Sequence, residues 1–178
     1  MDQRTEISTL GEFGLINHLT QNNETKNAST ILSVGDAPAV IDNFGRQTVV
    51  STDLLIEGIH FDLSYTPLKH LGYKSIVVNL SDIYAMNATP SQVTVSIAFS
   101  NRFGLEALDE LYSGIYAACD KYQVDLIGGD TSTSQKGLII SVTAIGEVAP
   151  GNFIKRSTAK PNDLICVSGD LGGAFLGL

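Results

Sequence analysis

The sequence predicts an α+β fold in which a mixed or antiparallel sheet packs its helices on one face. Segments with strand and helix patterns interleave along the 178 residues. The clearest strand pattern, from Val93 to Phe99, alternates apolar side chains with small or hydroxyl side chains. Alternation is typical of a strand that covers a core on one side, whereas strands of a doubly wound parallel sheet are apolar throughout. The pattern therefore favours helices on one face of the sheet.

Turn and capping signals predict where the elements begin and end. Thr66 before Pro67 is typical of an N-cap followed by the first helical residue, and this helix is expected to reach about Met86. Asn79 and Asp82 lie three positions apart in it, so they should share a face away from much of its apolar stripe. Further helices are predicted at residues 9–19 and 105–119, and strands at residues 31–34, 40–42, 48–51, 93–99, 124–127, 138–145 and 164–169.

Composition and charge exclude several classes of function. A hydrophobic content of 43% with 17% charged residues is that of a globular protein. The formal net charge of −8 argues against nucleic acid as a partner, because a phosphate backbone requires a basic surface. No segment is apolar enough to span a membrane. Cys119 and Cys166 lie in apolar patterns and are predicted to be buried free thiols, which favours a reducing compartment and the cytoplasm.

The pattern near the end of the chain predicts a domain boundary. Pro150 and Gly151 interrupt the strand pattern, and the last residues to Leu178 contain barely one turn of a new helix. We therefore expect residues 1–150 to form one domain. Residues 151–178 are expected to be a linker and the start of a second domain.

Oxygen-rich side chains at the end of one strand indicate a cation site. Ser51, Thr52 and Asp53 follow the β-branched run that begins at Val49. Carboxylates occupy similar strand or helix ends at Asp36, Asp82 and Asp130. Carboxylate and hydroxyl oxygens are ligands for hard cations such as Mg²⁺. We expect these aspartates to converge on Asp53.

Each of these residues also has a simpler explanation. An aspartate at the end of an element is often a turn or cap residue. Gly128, Gly129 and Asp130 fit either a tight turn or a close approach of the backbone to a phosphate. His60 fits a contact to an anionic substrate, but a lone histidine is usually a surface or core residue. Arg156 fits either a contact to a nucleotide phosphate or a solvated basic loop. The P-loop and dinucleotide-binding fingerprints are both absent from the sequence.

Several stretches of the sequence, taken together in their order along the chain, resemble the thiamine-monophosphate kinase family of the aminoimidazole ribonucleotide synthetase-like superfamily. The matching stretches are Gly11–Ile16, Ser51–Asp53, Glu57–Phe61, Val78–Ile83, Ile127–Thr131, Arg156 with Ala159–Pro161, and Val167–Gly169. They follow the order of the family and cover nearly the whole chain. The resemblance implies the N-terminal ATP-binding domain of that fold.

The resemblance implies transfer of the γ-phosphate of ATP to thiamine monophosphate, which yields thiamine diphosphate. It also implies several Mg²⁺ ions, a homodimer formed through the sheet of the N-terminal domain, and catalysis by positioning with no catalytic side chain assigned. By motif, the metal ligands would be Asp36, Ser51, Thr52, Asp53, Asp82 and Asp130. His60 would bind thiamine monophosphate, and the nucleotide would be bound by Tyr112, Gly129, Asp130 and Arg156.

Two departures from the family pattern keep other hypotheses open. The family has paired aspartates after the first strand, but here Ala37 follows Asp36. The family also continues beyond the equivalent of Leu178, so the chain by itself is expected to be inactive. The alternatives are another ATP-using member (selenophosphate synthetase, aminoimidazole ribonucleotide synthetase or the hydrogenase-maturation protein) and a non-catalytic nucleotide-binding module that dimerises.

Overall fold

The computed structural model describes residues 30–32, 39–43 and 45–177. The helix predicted at residues 9–19, and Asp36 with Ala37, lie outside the described residues. The strands are β1 (Thr30–Leu32), β2 (Ala39–Asp42), β3 (Gln47–Ile56), β4 (Thr89–Phe99), β5 (Asp125–Thr133) and β6 (Ile139–Val148). The helices are α1 (Leu68–Ala85), α2 (Leu105–Tyr122) and α3 (Gly173–Leu176), with a 3₁₀ turn at Arg156–Thr158. Within the part of the chain that is described, none of the helices is long and apolar enough to cross a membrane.

The strands form one mixed sheet of six strands in the order β1-β2-β3-β6-β4-β5. Only the pairing of β4 with β5 is parallel among the described strands, and the others are antiparallel. The register aligns Asp53 with Val142, Val142 with Val95, and Val95 with Gly129. This confirms the mixed sheet predicted from the alternating pattern.

The long helices α1 and α2 lie on one face of the sheet. Along β6 every second side chain is buried, including Ile140, Val142 and Ala144. These side chains share a core with Leu80 of α1 and Ile115 of α2. The alternate positions face the other way, and no described helix covers that uncovered face.

Helix α1 differs from its prediction in the residue that caps its start and in the burial of one polar side chain. The helix begins at Leu68 with Pro67 at the N-cap, and Pro67 contributes its carbonyl oxygen to a hydrogen bond. The predicted cap at Thr66 is therefore wrong by one position. Asn79 was expected to face away from the apolar stripe, yet it is fully buried. Its burial is tolerated because the oxygen and the nitrogen of its side-chain amide are both hydrogen-bonded.

Two segments near the end of the chain also differ from prediction. The residues Gly128, Gly129 and Asp130 lie inside β5, so the tight turn considered for them is not formed. Residues 164–169, predicted to be a strand, pair with no strand among the described residues. Their side chains are exposed. Cys119 is buried as predicted, but Cys166 is exposed and its predicted burial is wrong.

Helices α1 and α2 touch at two glycines. A methyl group at Gly72 would lie 2.0 Å from the carbonyl oxygen of Leu111, and one at Gly114 would lie 1.8 Å from that of Lys69. Real Cβ atoms do not approach backbone that closely, so the two helices pack at a distance that only glycine permits. This contact fixes α1 against α2 and so contributes to the placement of the residues on α1.

We expect Gly114→Ala to destabilise the protein by about 3 kcal/mol, because the added methyl group would force the two backbones apart. Urea denaturation measures this loss as a lower midpoint with an unchanged slope. Ser113→Ala, at the exposed neighbouring position, is the matched control and should change the stability by less than about 0.5 kcal/mol. Equal midpoints for the two variants would contradict the close helix contact.

Candidate metal and nucleotide site

A polar seam joins β3 to α1 at the centre of the sheet. Ser51 Oγ donates a hydrogen bond to Asp82 Oδ2 at 2.8 Å. The backbone N–H of Asp53 donates to Asn79 Oδ1 at 3.0 Å, and Asn79 Nδ2 donates to the carbonyl of Ser75 at 2.9 Å. Because Ser51 and Asn79 are buried, these bonds hold Asp53 and Asp82 next to one another.

The electrostatics of the seam are unfavourable for two ionised carboxylates. Partial burial raises the pKa of Asp53, and the negative charge of Asp82 raises it further. The imidazole of His60 acts in the opposite direction but does not cancel these effects. A cation beside Asp53 and Asp82 would offset the same burial and charge effects that raise the pKa of Asp53.

The residues of this seam supply some of the oxygen ligands that a hard divalent cation requires. Asp53 and Asp82 contribute carboxylate oxygens, and the hydroxyl of Ser51 is a neutral oxygen donor of the kind that Mg²⁺ accepts. In the described residues no group of three or more histidine, cysteine, aspartate or glutamate side chains is placed to hold a metal. The seam therefore supplies two carboxylates, and Asp36 lies outside the described residues.

The hydroxyl of Thr52 lies on the uncovered face of the sheet. It donates to the carbonyl of Val142 at 3.0 Å and accepts from Thr143 Oγ1 at 3.1 Å. Side chains alternate along a strand, so Thr52 faces away from Ser51 and Asp53. The structure does not bring the Thr52 side chain into the seam.

Asp130 also lies apart from the seam. Its strand, β5, is separated from β3 by β6 and β4, and three steps of about 4.8 Å place it about 14 Å away. Asp130 pairs with Ser96, one position beyond the row that contains Asp53. The expected convergence of aspartates on Asp53 is therefore seen for Asp82 and not for Asp130.

A cavity of about 610 Å³ opens beside β5. It brings together three of the four residues predicted to bind a nucleotide. The lining residues are Val95, Tyr112, Leu126, Ile127, Gly128, Gly129, Asp130 and Thr131. The volume lies within the range of small-molecule sites, and a half-buried aromatic ring beside bare backbone is typical of such sites.

Of the two adjacent glycines that line this cavity, the fold requires glycine at position 129 but not at position 128. A methyl group at Gly129 would lie 1.8 Å from the carbonyl oxygen of Val95, so the pairing of β5 with β4 requires glycine at this position. A methyl group at Gly128 would meet nothing within 4 Å. The fold therefore does not require glycine at 128, and its bare backbone leaves the cavity wall open.

His60 sits in a tight turn directly after β3. Gly58 has a positive φ of 80°, and its N–H donates to the carbonyl of Phe61 at 2.8 Å. The imidazole Nδ1 of His60 accepts from the backbone N–H of Ile56 at 3.0 Å, which leaves Nε2 to carry the ring proton. Lys74 Nζ lies 3.4 Å from the His60 carbonyl oxygen. The turn thus presents an exposed N–H donor with a positive charge nearby, a combination suited to an anion.

Arg156 follows a segment that is fixed at the end of α1. The N–H of Ile154 donates to the carbonyl of Met86 at 3.2 Å, and Phe153 packs against the core. Arg156 is exposed in its 3₁₀ turn and does not line the cavity beside β5.

Sequence reasoning missed several polar residues that organise the site. Asn79 was noted for its position, but its bond to the backbone of Asp53 was not predicted. Lys74 had no assigned role, and neither had Arg102, which pairs with Glu57. For Asn79 and Lys74 the available signal was a polar residue inside an apolar helical pattern, which by itself does not reveal its partner. Arg102 lies in a loop, where no such pattern exists.

The fold and the matched sequence define the class of this chain. The family model for "AIR synthase related protein, N-terminal domain" matches residues 35–148. The chain belongs to that family, as the sequence predicted at the level of the superfamily.

The relatives are thiamine-monophosphate kinases, so the predicted resemblance is confirmed. The chain is 36% identical to that of Bacillus subtilis over 170 residues, covering 95% of the chain and 52% of the relative. It is 38% identical to that of Synechococcus elongatus over 172 residues, covering 97% of the chain and 51% of the relative. The chain therefore spans about half the length of the curated relatives it matches.

Solved structures agree with this assignment. The structure of AaThiL complexed with AMPPCP and TMP matches with a TM-score of 0.78 and 30% identity, covering 88% of this chain and 48% of that one. The structure of a HypE-HypF complex matches with a TM-score of 0.62 over 83% of this chain and 46% of that one. Its identity is 18%, so it shares the fold alone.

The raised pKa of Asp53 predicts an unusual response to substitution. In buffer without divalent cations, Asp53→Asn should be more stable at pH 7 than the unsubstituted protein. Because the folded-state pKa lies above the unfolded value of about 3.9, ionisation of Asp53 costs stability as the pH rises through the folded-state pKa. The gain should therefore be largest at neutral pH and shrink as the pH falls.

Urea denaturation between pH 7 and pH 4 measures this difference. Asp109→Asn, which removes a carboxylate from an exposed position of α2, is the matched control. A lower stability of Asp53→Asn at pH 7 would show that its carboxylate supports the fold, contrary to the electrostatic argument.

Proposed function

We propose that this chain is the N-terminal, nucleotide- and metal-binding half of a thiamine-monophosphate kinase. The enzyme would transfer the γ-phosphate of ATP to thiamine monophosphate and release thiamine diphosphate and ADP. The observation that carries the proposal is an identity of 36–38% to such kinases over 95–97% of the chain. The ATP analogue and TMP in the related AaThiL complex support the substrate assignment.

The seam between β3 and α1 supports a Mg²⁺ site in this proposal. Ser51, Asp53 and Asp82 would hold one cation, with Asp36 as a further ligand from the segment before β2. When bound, Mg²⁺ would neutralise charge on the phosphates. We assign Asp130 to a further cation at the nucleotide. Thr52, whose side chain faces the other way, remains a predicted ligand through resemblance alone.

The cavity beside β5 supports the position of the nucleotide. Tyr112 offers an aromatic face for stacking on a base, and Gly129 exposes backbone that a phosphate can approach. Arg156 would add a positive charge from outside the cavity. His60 would donate from Nε2 to the phosphate of thiamine monophosphate.

The residues of this chain would act by positioning. Phosphoryl transfer requires alignment of the attacking and leaving oxygens and neutralisation of charge, and little covalent chemistry from the protein. No side chain in the seam or the cavity is assigned as a nucleophile. We therefore propose direct in-line transfer without a phosphoenzyme.

The test is ADP release by the full-length gene product with ATP, Mg²⁺ and thiamine monophosphate. We expect release that depends on thiamine monophosphate and that falls about 100-fold or more in Asp53→Asn, because a fixed charge at the reacting phosphates is lost. Asp109→Asn is the matched control and should retain activity.

Absence of substrate-dependent release would refute the kinase proposal and leave its alternatives. Mg²⁺-dependent binding of an ATP analogue then separates them. Retained binding would indicate another ATP-using member of the superfamily. Lost binding would indicate a non-catalytic module, which Ala37 in place of the family's second aspartate would explain.

The homodimer is proposed to form through the uncovered face of the sheet. That face carries apolar side chains in water, with Leu54 49% exposed. Exposed apolar side chains on a sheet without covering helices are typical of an interface. A second copy of the chain is the partner that the family resemblance implies.

Leu54→Glu should shift the protein from dimer to monomer, because a carboxylate would be buried at the interface without a partner. Analytical ultracentrifugation at micromolar concentration measures the change. Leu105→Glu, at a 70% exposed position at the start of α2, is the matched control and should remain dimeric. A dimer in both variants would place the interface elsewhere.

We retain the domain division at residues 150 and 151 as a proposal. Leu164 and Ile165 are 91% and 95% exposed, so these apolar side chains have no cover from the described residues. A second domain packed on them would provide that cover, and the half-length match to the relatives supports it. The cytoplasmic location also remains a prediction.

A further inference from the structure

Three segments of the chain meet at the carboxylate of Glu57, directly after β3. Glu57 Oε2 accepts from the backbone N–H of Leu138 at 2.8 Å, and the N–H of Glu57 donates to the Leu138 carbonyl at 3.0 Å. Arg102 contacts both carboxylate oxygens of Glu57 through Nη2. The segments joined are the end of β3, the loop between β4 and α2, and the loop between β5 and β6.

The surroundings of this ion pair limit its freedom. The guanidinium of Arg102 lies 4.8 Å above the ring of Phe103, which packs edge-on against Phe99 with ring centres 6.4 Å apart. A methyl group at Gly137 would lie 2.8 Å from Glu57 Oε2, and the φ of Gly137 is +136°. Arg102 therefore contacts an aromatic face as well as its carboxylate partner, and the positive φ at position 137 favours glycine in the loop beside Glu57.

Glu57 is charged in this setting. Burial raises the pKa of its carboxyl, but the hydrogen bonds from Arg102 and from the Leu138 N–H outweigh that effect and leave the pKa below its usual value. Charge-assisted contacts of this kind are among the stronger hydrogen bonds in proteins.

The His60 turn begins at the residue that this ion pair holds. Glu57 forms a bridge with Phe61 across the turn, and the imidazole of His60 is bonded back to Ile56. On the other side, the β5–β6 loop that contains Leu138 continues directly from the strand of Asp130. The ion pair thus links the turn that presents His60 to the strand that lines the nucleotide cavity.

We propose that Glu57 and Arg102 form a positioning clasp that holds the His60 turn at a fixed place relative to β5, and so sets the distance between the acceptor phosphate and the nucleotide. The role in substrate binding rests on the proposed kinase function. Neither residue touches the substrate in this proposal, and both act through His60.

Kinetics of the full-length protein test the role in binding. Arg102→Gln and Glu57→Gln should each raise the KM for thiamine monophosphate by about tenfold, because small displacements of a binding group are costly in phosphoryl transfer. The KM for ATP should change less than about twofold. In a His60→Ala background, Arg102→Gln should cause no further increase, and Arg102→Lys should restore part of the loss.

The matched control is Arg46→Gln. Arg46 pairs with Glu147 at 2.9 Å near the opposite end of β3, and both side chains are exposed. Its loss should leave both KM values unchanged. Equal increases in the two KM values for Arg102→Gln, or additive effects with His60→Ala, would overturn the clasp as a positioning device.

Amide hydrogen exchange tests the clasp without any substrate. The Ile56 N–H donates to His60 Nδ1, so its exchange reports whether the turn is held. NMR should show exchange at Ile56 about tenfold faster in Arg102→Gln than in the unsubstituted protein, with Val49 in the same strand unchanged. Unchanged exchange at Ile56 would overturn the clasp. This measurement keeps its meaning if ADP release shows that the kinase proposal is wrong.

Discussion

The buried amide of Asn79 is the constraint on which the rest of the site depends. A buried amide that lacks a hydrogen-bond partner costs about 1–3 kcal/mol, so its side chain is held wherever its partners lie. Here the partners are the Asp53 N–H on β3 and the Ser75 carbonyl on α1 itself. The bond to Asp53 therefore fixes the rotation of α1 about its own axis and the position of α1 along β3. Asp82, one turn further along the helix, is thereby brought to Ser51.

The same constraint places two carboxylates in an environment that does not favour them. Burial and the charge of Asp82 both raise the pKa of Asp53, so each disfavours its ionised form. Sites that bind ligands often carry this kind of cost, because groups arranged for a ligand are poorly solvated without it. This cost is what the proposed cation site would require of the polar seam.

The sequence predicted the sheet but not the way in which the sheet distributes its side chains. The alternation from Val93 to Phe99 correctly indicated a strand with one buried face. The order of the strands depends on contacts between distant segments, which no local pattern contains. For this reason Asp130 was expected near Asp53, whereas the register places β5 three strands from β3. Burial of Asn79 was missed for a similar reason, since its partner is 26 residues away in the chain.

The positions of these residues in the sheet bear on the proposed site. Ser51, Asp53 and Asp82 lie on the helix-covered side of β3, whereas Asp130 lies on the edge strand β5, where it lines the cavity with Tyr112. A ligand that contacted both groups would have to reach from β3 to that edge or around an end of the sheet. The His60 turn and the β5–β6 loop lie together at one such end, and Glu57 joins them. In the proposed phosphoryl transfer, which depends on fixed distances between the reacting groups, the rigidity of that end would matter as much as the identity of the ligands.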